Sequence, residues 1–369
     1  MMSFRHKLVG PLCGAALMML PALCQENAHA ILSPQTLTIR VHRVSGGPDG
    51  ITTGADGALW FTESAANKIG RMTMNGVLTE YEVPTPTSGV GGISLGPDRA
   101  LWFAENQANH IGRITTEGVF SEYVVPTPAS GPAGITTGPD GALWFTESVA
   151  SKIGRVTTDG AITEYPIPTL NAGPRHITTG PDGALWFTEH TGNNIGRLST
   201  NGTFTEYAVP TFDAGTVDIA TGSDGALWFT EFGPYANKIG RVTTLGIFTE
   251  YTIPTSGAGP LHISSGPDGA LWFTEFLANK IGMLAISGAF SEYALPASDH
   301  GPVGITKGPN RGVWFAEYYS NNLACVEPRG HTGCNQSRGS NREGLPCQPR
   351  SNPVPEGTCG LLTRGDPHP

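Results

Sequence analysis

The sequence has little charge and little sign of helices. Asp, Glu, Lys and Arg make up only 14% of the 369 residues, whereas there are 50 glycines and 30 prolines. No long helical period of apolar residues follows residue 30. Turn-forming residues at this density favour short strands joined by tight turns. The formal charge of −9, without a basic stripe, argues against nucleic acid as a partner.

Long hydrophobic runs are also scarce, and the one candidate lies at the N terminus. A basic stretch at residues 5–7 precedes "LVGPLCGAALMMLPALC", and residues 28–30 supply an A-x-A cleavage pattern. This order is typical of a secretory signal over residues 1–30, which predicts an exported protein, periplasmic or extracellular. The alternatives are a membrane anchor or a lipoprotein attached through Cys24. No other segment could span a bilayer, so we expect no membrane partner after cleavage.

Cysteine is absent from most of the chain. Beyond the signal, the four cysteines are Cys325, Cys334, Cys347 and Cys359. An even number in an exported chain favours disulfides over zinc, and three pairings are open. Residues 327–369 are rich in Pro, Gly, Ser and Arg, which predicts an irregular tail, either disordered or stapled by disulfides.

What the sequence has in abundance is repetition. "GPDGALWFTE" occurs three times, at 138–147, 180–189 and 266–275, and four looser copies accompany it. All seven tryptophans belong to these copies: Trp60, Trp102, Trp144, Trp186, Trp228, Trp272 and Trp314. A period of about 40–45 residues with strand-like patterning is typical of propeller blades. We therefore predict an all-β fold, a seven-bladed β-propeller over residues 31–326, as a monomer.

One copy shows how a blade is built. Its four predicted strands are "HITTG" (176–180), "ALWFTE" (184–189), "NIGRLST" (194–200) and "TFTEYAVP" (203–210). Seven copies supply only six outer strands of the "TEY" type. The stretch "LTIRVHRV" (37–44), ahead of the first copy, predicts the missing strand, so that the two ends of the chain close the ring.

Residues that recur in every blade are expected to serve the scaffold. The tryptophans are predicted core residues. The glutamates that follow them are Glu63, Glu105, Glu147, Glu189, Glu231, Glu275 and Glu317. We expect most of them to accept hydrogen bonds from backbone N–H groups of their loops. The alternative is a ring of carboxylates that holds a cation, such as the Ca²⁺ of a lactonase-like hydrolase.

Functional residues are sought where the blades differ. The residue before the Ile of "GIT" is, in blade order, Gly50, Gly92, Gly134, His176, Asp218, His262 and Gly304. Two imidazoles beside a carboxylate could bind a metal or act as a base with an orienting partner. We therefore predict His176 and His262 as catalytic residues and Asp218 as a metal ligand.

A small-molecule pocket is predicted beside them. Arg175 precedes His176, and the residues directly after the glutamates include His190, Phe232, Phe276 and Tyr318. Polar groups beside aromatic walls are typical of such pockets. The alternative is that these side chains point between blades and bond local backbone groups.

The repeat resembles the streptogramin B lyases, also called virginiamycin B lyases, which are seven-bladed propellers. The resemblance is carried by the "LWFTE", "NKIGR" and "TEYxIPTP" motifs and covers about residues 38–326. It implies a Mg²⁺-dependent elimination that opens a cyclic depsipeptide antibiotic at its ester linkage, and hence antibiotic resistance. Such chemistry needs a base at the α-carbon and a Lewis acid on the ester carbonyl.

The resemblance also implies site positions that this sequence does not match. The catalytic His expected in the last blade falls on Val303, and the second His, one blade earlier, falls on Leu261. The metal-binding Glu falls on Tyr318, unless Glu317 takes that role. One hypothesis is therefore a metal-assisted lyase with His262 or His176 as a displaced base. The other is an exported propeller that binds a ligand or protein without catalysis.

Overall fold

The computed structural model describes residues 39–296 and 301–327. The predicted signal and residues 328–369 lie outside this range. The chain divides into residues Met1–Thr36 and a compact unit that begins at Leu37. In the described residues of that unit every regular element is a strand, and no helix of membrane-spanning length and hydropathy occurs among them.

The described residues form seven antiparallel sheets of four strands each. Strand β1 spans Ile39–Arg43. Blades one to three contain β2 (Pro48–Thr53), β3 (Leu59–Glu63), β4 (Lys68–Met72), β5 (Leu78–Glu82), β6 (Val90–Leu95), β7 (Leu101–Glu105), β8 (His110–Ile114), β9 (Phe120–Val124), β10 (Pro132–Thr137), β11 (Leu143–Glu147), β12 (Lys152–Val156) and β13 (Ile162–Pro166).

Blades four to seven continue in the same order. They contain β14 (Pro174–Thr179), β15 (Leu185–Glu189), β16 (Asn194–Leu198), β17 (Phe204–Ala208), β18 (Thr216–Thr221), β19 (Leu227–Glu231), β20 (Lys238–Val242), β21 (Phe248–Thr252), β22 (Pro260–Ser265), β23 (Leu271–Glu275), β24 (Lys280–Leu284), β25 (Phe290–Ala294), β26 (Pro302–Lys307), β27 (Val313–Glu317) and β28 (Asn322–Val326). The first strands β2, β6, β10, β14, β18, β22 and β26 contact one another in a closed cycle. The seven-bladed β-propeller is confirmed, with its first strands around the central axis.

The ring is closed by strands from both ends of the chain. The seventh sheet has the order β1-β28-β27-β26, and β1 pairs antiparallel with β28 from Ile39 opposite Val326 to Arg43 opposite Asn322. The predicted closing strand is therefore present. It covers the edge of β28, whose five residues are all buried. Cys325 in that strand is disulfide-bonded, and the other cysteines lie outside the described residues.

All seven tryptophans are buried, and six of them share one polar and aromatic arrangement, whereas Trp314 donates to Asn310. In the first blade, the Trp60 indole N–H donates to Asp56 Oδ1 at 3.1 Å, and Arg71 Nε donates to Asp56 Oδ2 at 2.7 Å. The Tyr81 ring stacks on Trp60 at a centroid distance of 5.8 Å. The aspartate of the turn thus satisfies the one polar atom of the buried indole, so the tryptophans are core residues as predicted.

The glutamates that end the second strands are fully buried, but the expectation that they accept loop N–H groups is wrong for most of them. In the third blade, neither oxygen of Glu147 has a hydrogen-bond partner in the described structure. Burial, then the nearby Glu164 charge, raises the pKa of Glu147 to about 7. Glu164 itself bonds Thr127 of the preceding interblade loop at 2.9 Å. Two carboxyl groups of one blade therefore face each other, and burial favours the protonated form of the inner one.

Candidate functional site

A bulge in each first strand positions the residues that differ between blades. In blade four, Pro174 pairs with Glu189 and Ile177 pairs with Phe187. Residues 175 and 176 therefore lie opposite the single residue 188, which is a β-bulge. The His176 N–H donates instead to the buried Thr188 hydroxyl at 3.1 Å. That hydroxyl donates to the Val217 carbonyl of the next blade at 2.8 Å. The bulge therefore fixes the backbone at residues 175–176 and ties it to the neighbouring blade.

Close approach of the next blade's backbone explains why four blades have glycine at this position. A Cβ added to Gly134 would lie 2.7 Å from the Arg175 carbonyl oxygen and 2.8 Å from the Cα of His176. Both distances are shorter than a real carbon contact allows. A side chain is therefore excluded at Gly134, and the three consecutive blades with His, Asp and His are the place where the ring presents polar groups to the axis.

His176, Asp218 and His262 converge into one cluster. His176 Nδ1 lies 3.2 Å from Asp218 Oδ1, and His262 Nδ1 lies 3.2 Å from Asp218 Oδ2. The two imidazoles meet edge to face, with centroids 4.7 Å apart. The carboxylate also accepts the N–H groups of Ile219 at 2.7 Å and Ile263 at 2.9 Å. Three hydrogen bonds thus hold the buried carboxylate, with His176 beside it at ion-pair distance, and each ring keeps its Nε2 for other partners.

The environment moves the pKa values of the two histidines in opposite directions. Burial lowers the pKa of His176, and the nearby His262 adds to this, against the attraction of Asp218. Burial acts on His262 as well, but the hydrogen bond and charge of Asp218 outweigh it and raise the pKa of His262. Burial alone would raise the pKa of Asp218, yet its imidazole and backbone partners lower it. The cluster therefore favours a neutral His176 beside a protonated His262.

The cluster lies beside an open cavity of about 290 Å³ at the mouth of the central channel. His176, His262 and Arg175 all line it, and the Arg175 side chain is exposed there. Asp49 and Asn106, to which the sequence analysis gave no role, line the same cavity. Asn106 follows Glu105 at the position that His190 holds two blades later, so the comparison of blades contained that signal.

Three groups of the cluster could also hold a metal ion, because their ligand atoms lie within 4.8 Å of one another. Mg²⁺ prefers six oxygen ligands, whereas this cluster offers two imidazoles and one carboxylate that already accepts three hydrogen bonds. The donor set suits a transition metal such as Zn²⁺ better. The residues therefore do not fit the Mg²⁺ that the resemblance implied.

The other predicted pocket residues lie outside the cavity lining. His190 Nδ1 contacts the Thr216 carbonyl of the next blade at 3.1 Å, which matches the alternative that it bonds local backbone. Phe276 and Tyr318 pack with the cavity-lining Leu261 against the buried cluster of the first and seventh blades. Phe232 is half-buried and is not part of the lining. Leu261 therefore lies between the cavity and the core cluster against which Phe276 and Tyr318 also pack.

Glu317, the second predicted metal ligand, is not brought to the histidines. Its side chain is fully buried in the seventh blade, where Oε2 accepts Ser320 Oγ at 3.1 Å and Asn322 Nδ2 at 3.0 Å. It holds the same structural place as the other glutamates that end second strands. Glu317 therefore serves the blade in this structure and does not belong to the ligand set at the channel mouth.

The comparison with known families agrees with the propeller and its repeat. The model of the virginiamycin B lyase family matches residues 34–255 and 169–335. Because these matches span most of the chain, the protein belongs to the virginiamycin B lyase family. It is a propeller of the virginiamycin B lyase type.

Solved structures of this family are similar over nearly their whole length. A streptogramin B lyase is 42% identical with a TM-score of 0.76, covering 79% of this chain and 97% of its own. Virginiamycin B lyase from Staphylococcus aureus gives the same identity and TM-score over 79% of this chain and 100% of its own. The same values hold for a catalytically inactive histidine-to-alanine variant of that enzyme with quinupristin.

Proposed function

We propose that the protein is a lyase that opens the ester linkage of a cyclic depsipeptide of the streptogramin B class. The observation that carries the proposal is the convergence of His176 and His262 on Asp218 at the edge of a cavity. Two histidines whose pKa values shift apart supply a base and an acid at the same pH. The family membership supplies the substrate class.

In the proposed reaction, Nε2 of neutral His176 removes the proton from the α-carbon of the residue whose side-chain oxygen forms the ester. The electron pair forms a carbon–carbon double bond to the β-carbon, the β-carbon–oxygen bond breaks, and the carboxylate leaves. Negative charge develops on the ester carboxyl group, to which the His262 imidazolium and Arg175 would donate hydrogen bonds. His176 then returns its proton to water, so no co-reactant is consumed.

The Mg²⁺ expected from the resemblance has no step in this proposal, because the donor set at the cluster does not fit it. In the proposal, Asp218 accepts the Nδ1–H of His262 and holds Nδ1 of His176 at 3.2 Å. It thereby aims both Nε2 atoms toward the cavity. Arg175 adds a fixed positive charge beside the acid.

The test is to incubate the purified full-length protein with quinupristin and to follow the product by mass spectrometry. Elimination opens the ring without a change of mass, whereas hydrolysis of the ester adds one water. A ring-opened product of unchanged mass is expected, with and without a chelator. A product heavier by one water would replace the lyase with a hydrolase of the lactonase type.

The alternative function, a propeller that binds a ligand without catalysis, is favoured by one observation. Leu261, at the position where the resemblance places a histidine, lines the cavity and adds an apolar surface instead. Quinupristin that binds but stays intact at all pH values would support this alternative.

We also propose that the protein is exported, and the support for this is the signal-like sequence of residues 1–30. Expression of the full gene followed by N-terminal sequencing of the protein recovered outside the cytoplasm tests it. A mature N terminus directly after Ala30 is expected. Full-length protein retained inside the cell, or held in the membrane through Cys24, would contradict it.

A further inference from the structure

One blade differs from the others in the residue opposite its buried glutamate. In the second blade, Glu105 is fully buried and neither of its carboxylate oxygens has a hydrogen-bond partner in the described structure. Glu105 lies directly opposite His110 on the paired strands β7 and β8. His110 Nδ1, also buried without a hydrogen-bond partner, lies 4.0 Å from Glu105 Oε2.

A second carboxylate completes this arrangement. Glu122 of β9 pairs with Gly112, two residues beyond His110, so its side chain emerges on the same face of the sheet. Its oxygens accept the Thr85 N–H at 3.1 Å and the Thr85 hydroxyl at 2.9 Å. One ligand atom from each of Glu105, His110 and Glu122 lies within 4.8 Å of the others.

The other blades show what is missing here. In four of them, the residue at the position of His110 is a lysine whose ammonium lies beside the outer glutamate: Lys68, Lys152, Lys238 and Lys280. In the remaining two, Asn194 donates to Glu189 at 3.0 Å and Asn322 donates to Glu317 at 3.0 Å. The second blade has neither an ammonium nor an amide at this place.

We propose that Glu105, His110 and Glu122 form a divalent transition-metal site, with Zn²⁺ as the preferred ion. The ion supplies the positive charge that a lysine supplies in four other blades, and it gives the buried carboxylate of Glu105 and Nδ1 of His110 a shared partner. One imidazole and two carboxylates are a donor set that Zn²⁺ accepts, with a fourth place for water.

The site has room to form and a path for entry. Tetrahedral Zn²⁺ ligands about 2.0–2.2 Å from the ion lie roughly 3.3 Å apart, so the side chains need only a small contraction. Gly112 is needed beside the site, because a Cβ there would lie 2.2 Å from the Phe103 ring and 2.6 Å from Glu105 Oε1. The His110 side chain is 21% exposed, so the ion can enter past the imidazole.

This inference is independent of the proposed lyase activity, and the experiment separates the two. The chelator-treated full-length protein, His110→Lys and His262→Gln are each titrated with Zn²⁺, and the bound equivalents are counted by competition with a chromophoric chelator. His110→Lys is the matched variant because it installs the residue that four other blades carry. We expect His110→Lys to lose one equivalent that His262→Gln retains, with affinity at that site reduced more than about 100-fold.

Thermal unfolding gives a second readout. Zn²⁺ should raise the melting temperature of the original protein and of His262→Gln, but not that of His110→Lys. Glu105→Gln should lose the same equivalent. Equal stoichiometry and affinity in the original protein and His110→Lys, or no uptake by either, would overturn the metal site.

Discussion

The imidazoles of His176 and His262 lie edge to face, with planes at 78° and centroids 4.7 Å apart. The carboxylate of Asp218 lies at the Nδ1 atoms of both. Two rings in almost the same place therefore have different electrostatic surroundings. Only His262 combines a hydrogen bond donated to Asp218 with a raised pKa, whereas the pKa of His176 is lowered. This difference makes the two histidines separable by experiment.

The first prediction concerns the pH profile of quinupristin opening. The base must be neutral, so the rate should rise with pH through a pKa below 6.5, that of His176. The acid must be protonated, so the rate should fall through a pKa above 6.5, that of His262. His176→Gln should lower kcat/KM by about 10²–10⁴ and remove the acid limb. His262→Gln should remove the alkaline limb.

Glu117→Gln is the matched control for both variants, because Glu117 is exposed in the hairpin between β8 and β9. Its profile should equal that of the original protein. A His176→Gln variant that retains both the rate and the acid limb would exclude His176 as the base.

The second prediction concerns Asp218→Asn. An asparagine has one acceptor oxygen, so it cannot satisfy the two imidazoles and the N–H groups of Ile219 and Ile263 at once. Without the carboxylate charge, the pKa of His262 should fall below its usual value, since only the charge of Asp49, the smallest of the causes, then opposes burial. Proton NMR titration of the His262 ring checks this. If that pKa stays raised in a folded variant, Asp218 does not set it.

The third prediction concerns the buried glutamates, with Glu231 as the example. Burial, then the charge of Glu250, raises the pKa of Glu231 from 4.5 to about 8. The folded state therefore holds a proton that the unfolded state releases above pH 4.5. Stability should fall as the pH rises from about 4.5 to 8 and level off above that. Glu231→Gln remains neutral throughout and should be more stable than the original protein at pH 8, by the order of a few kcal/mol.

Urea unfolding at pH 5 and pH 8 measures this effect. The two proteins should differ little at pH 5 and clearly at pH 8, while the exposed Glu117→Gln variant should differ from the original protein at neither. A Glu231→Gln variant that is less stable at pH 8 would mean that the ionised carboxylate is stabilising in place.

Much of this fold follows from the repeat itself. Each of the first six copies carries a buried Trp, a turn Asp that accepts the indole N–H, and an outer strand, and these local features all favour the same blade geometry. The closing strand followed from counting six outer strands for seven copies. The cluster of His176, Asp218 and His262 followed from the one position at which three adjacent copies depart from glycine.

Other features depended on contacts between strands that sequence spacing does not encode. The bulge beside His176 changes the phase of the first strand, and a shift of one residue decides whether a side chain faces the axis. In the first six blades, the buried glutamate faces a glutamate of the outer strand, about 17 residues later in the chain. Because such contacts cannot be read from the spacing of residues, the sequence predicted Glu317 as a metal ligand and Phe276 and Tyr318 as pocket residues.

The last prediction concerns the closure of the ring. Strand β1 covers β28 through five residue pairs, and Val44 N–H donates to the Asn321 carbonyl at 3.0 Å just beyond them. A truncation that removes the chain through Arg43 exposes the edge of β28 and the buried residues Leu323 and Ala324. An open edge recruits other strands. We expect a melting temperature lower by at least about 5 °C and concentration-dependent aggregation in size-exclusion chromatography.

A truncation of residues 1–36, which keeps β1, is the matched control and should leave both measurements unchanged. Equal melting temperatures for the two truncations would mean that the seventh blade holds together with three strands, and that the pairing of the two chain ends contributes little to the stability of the ring.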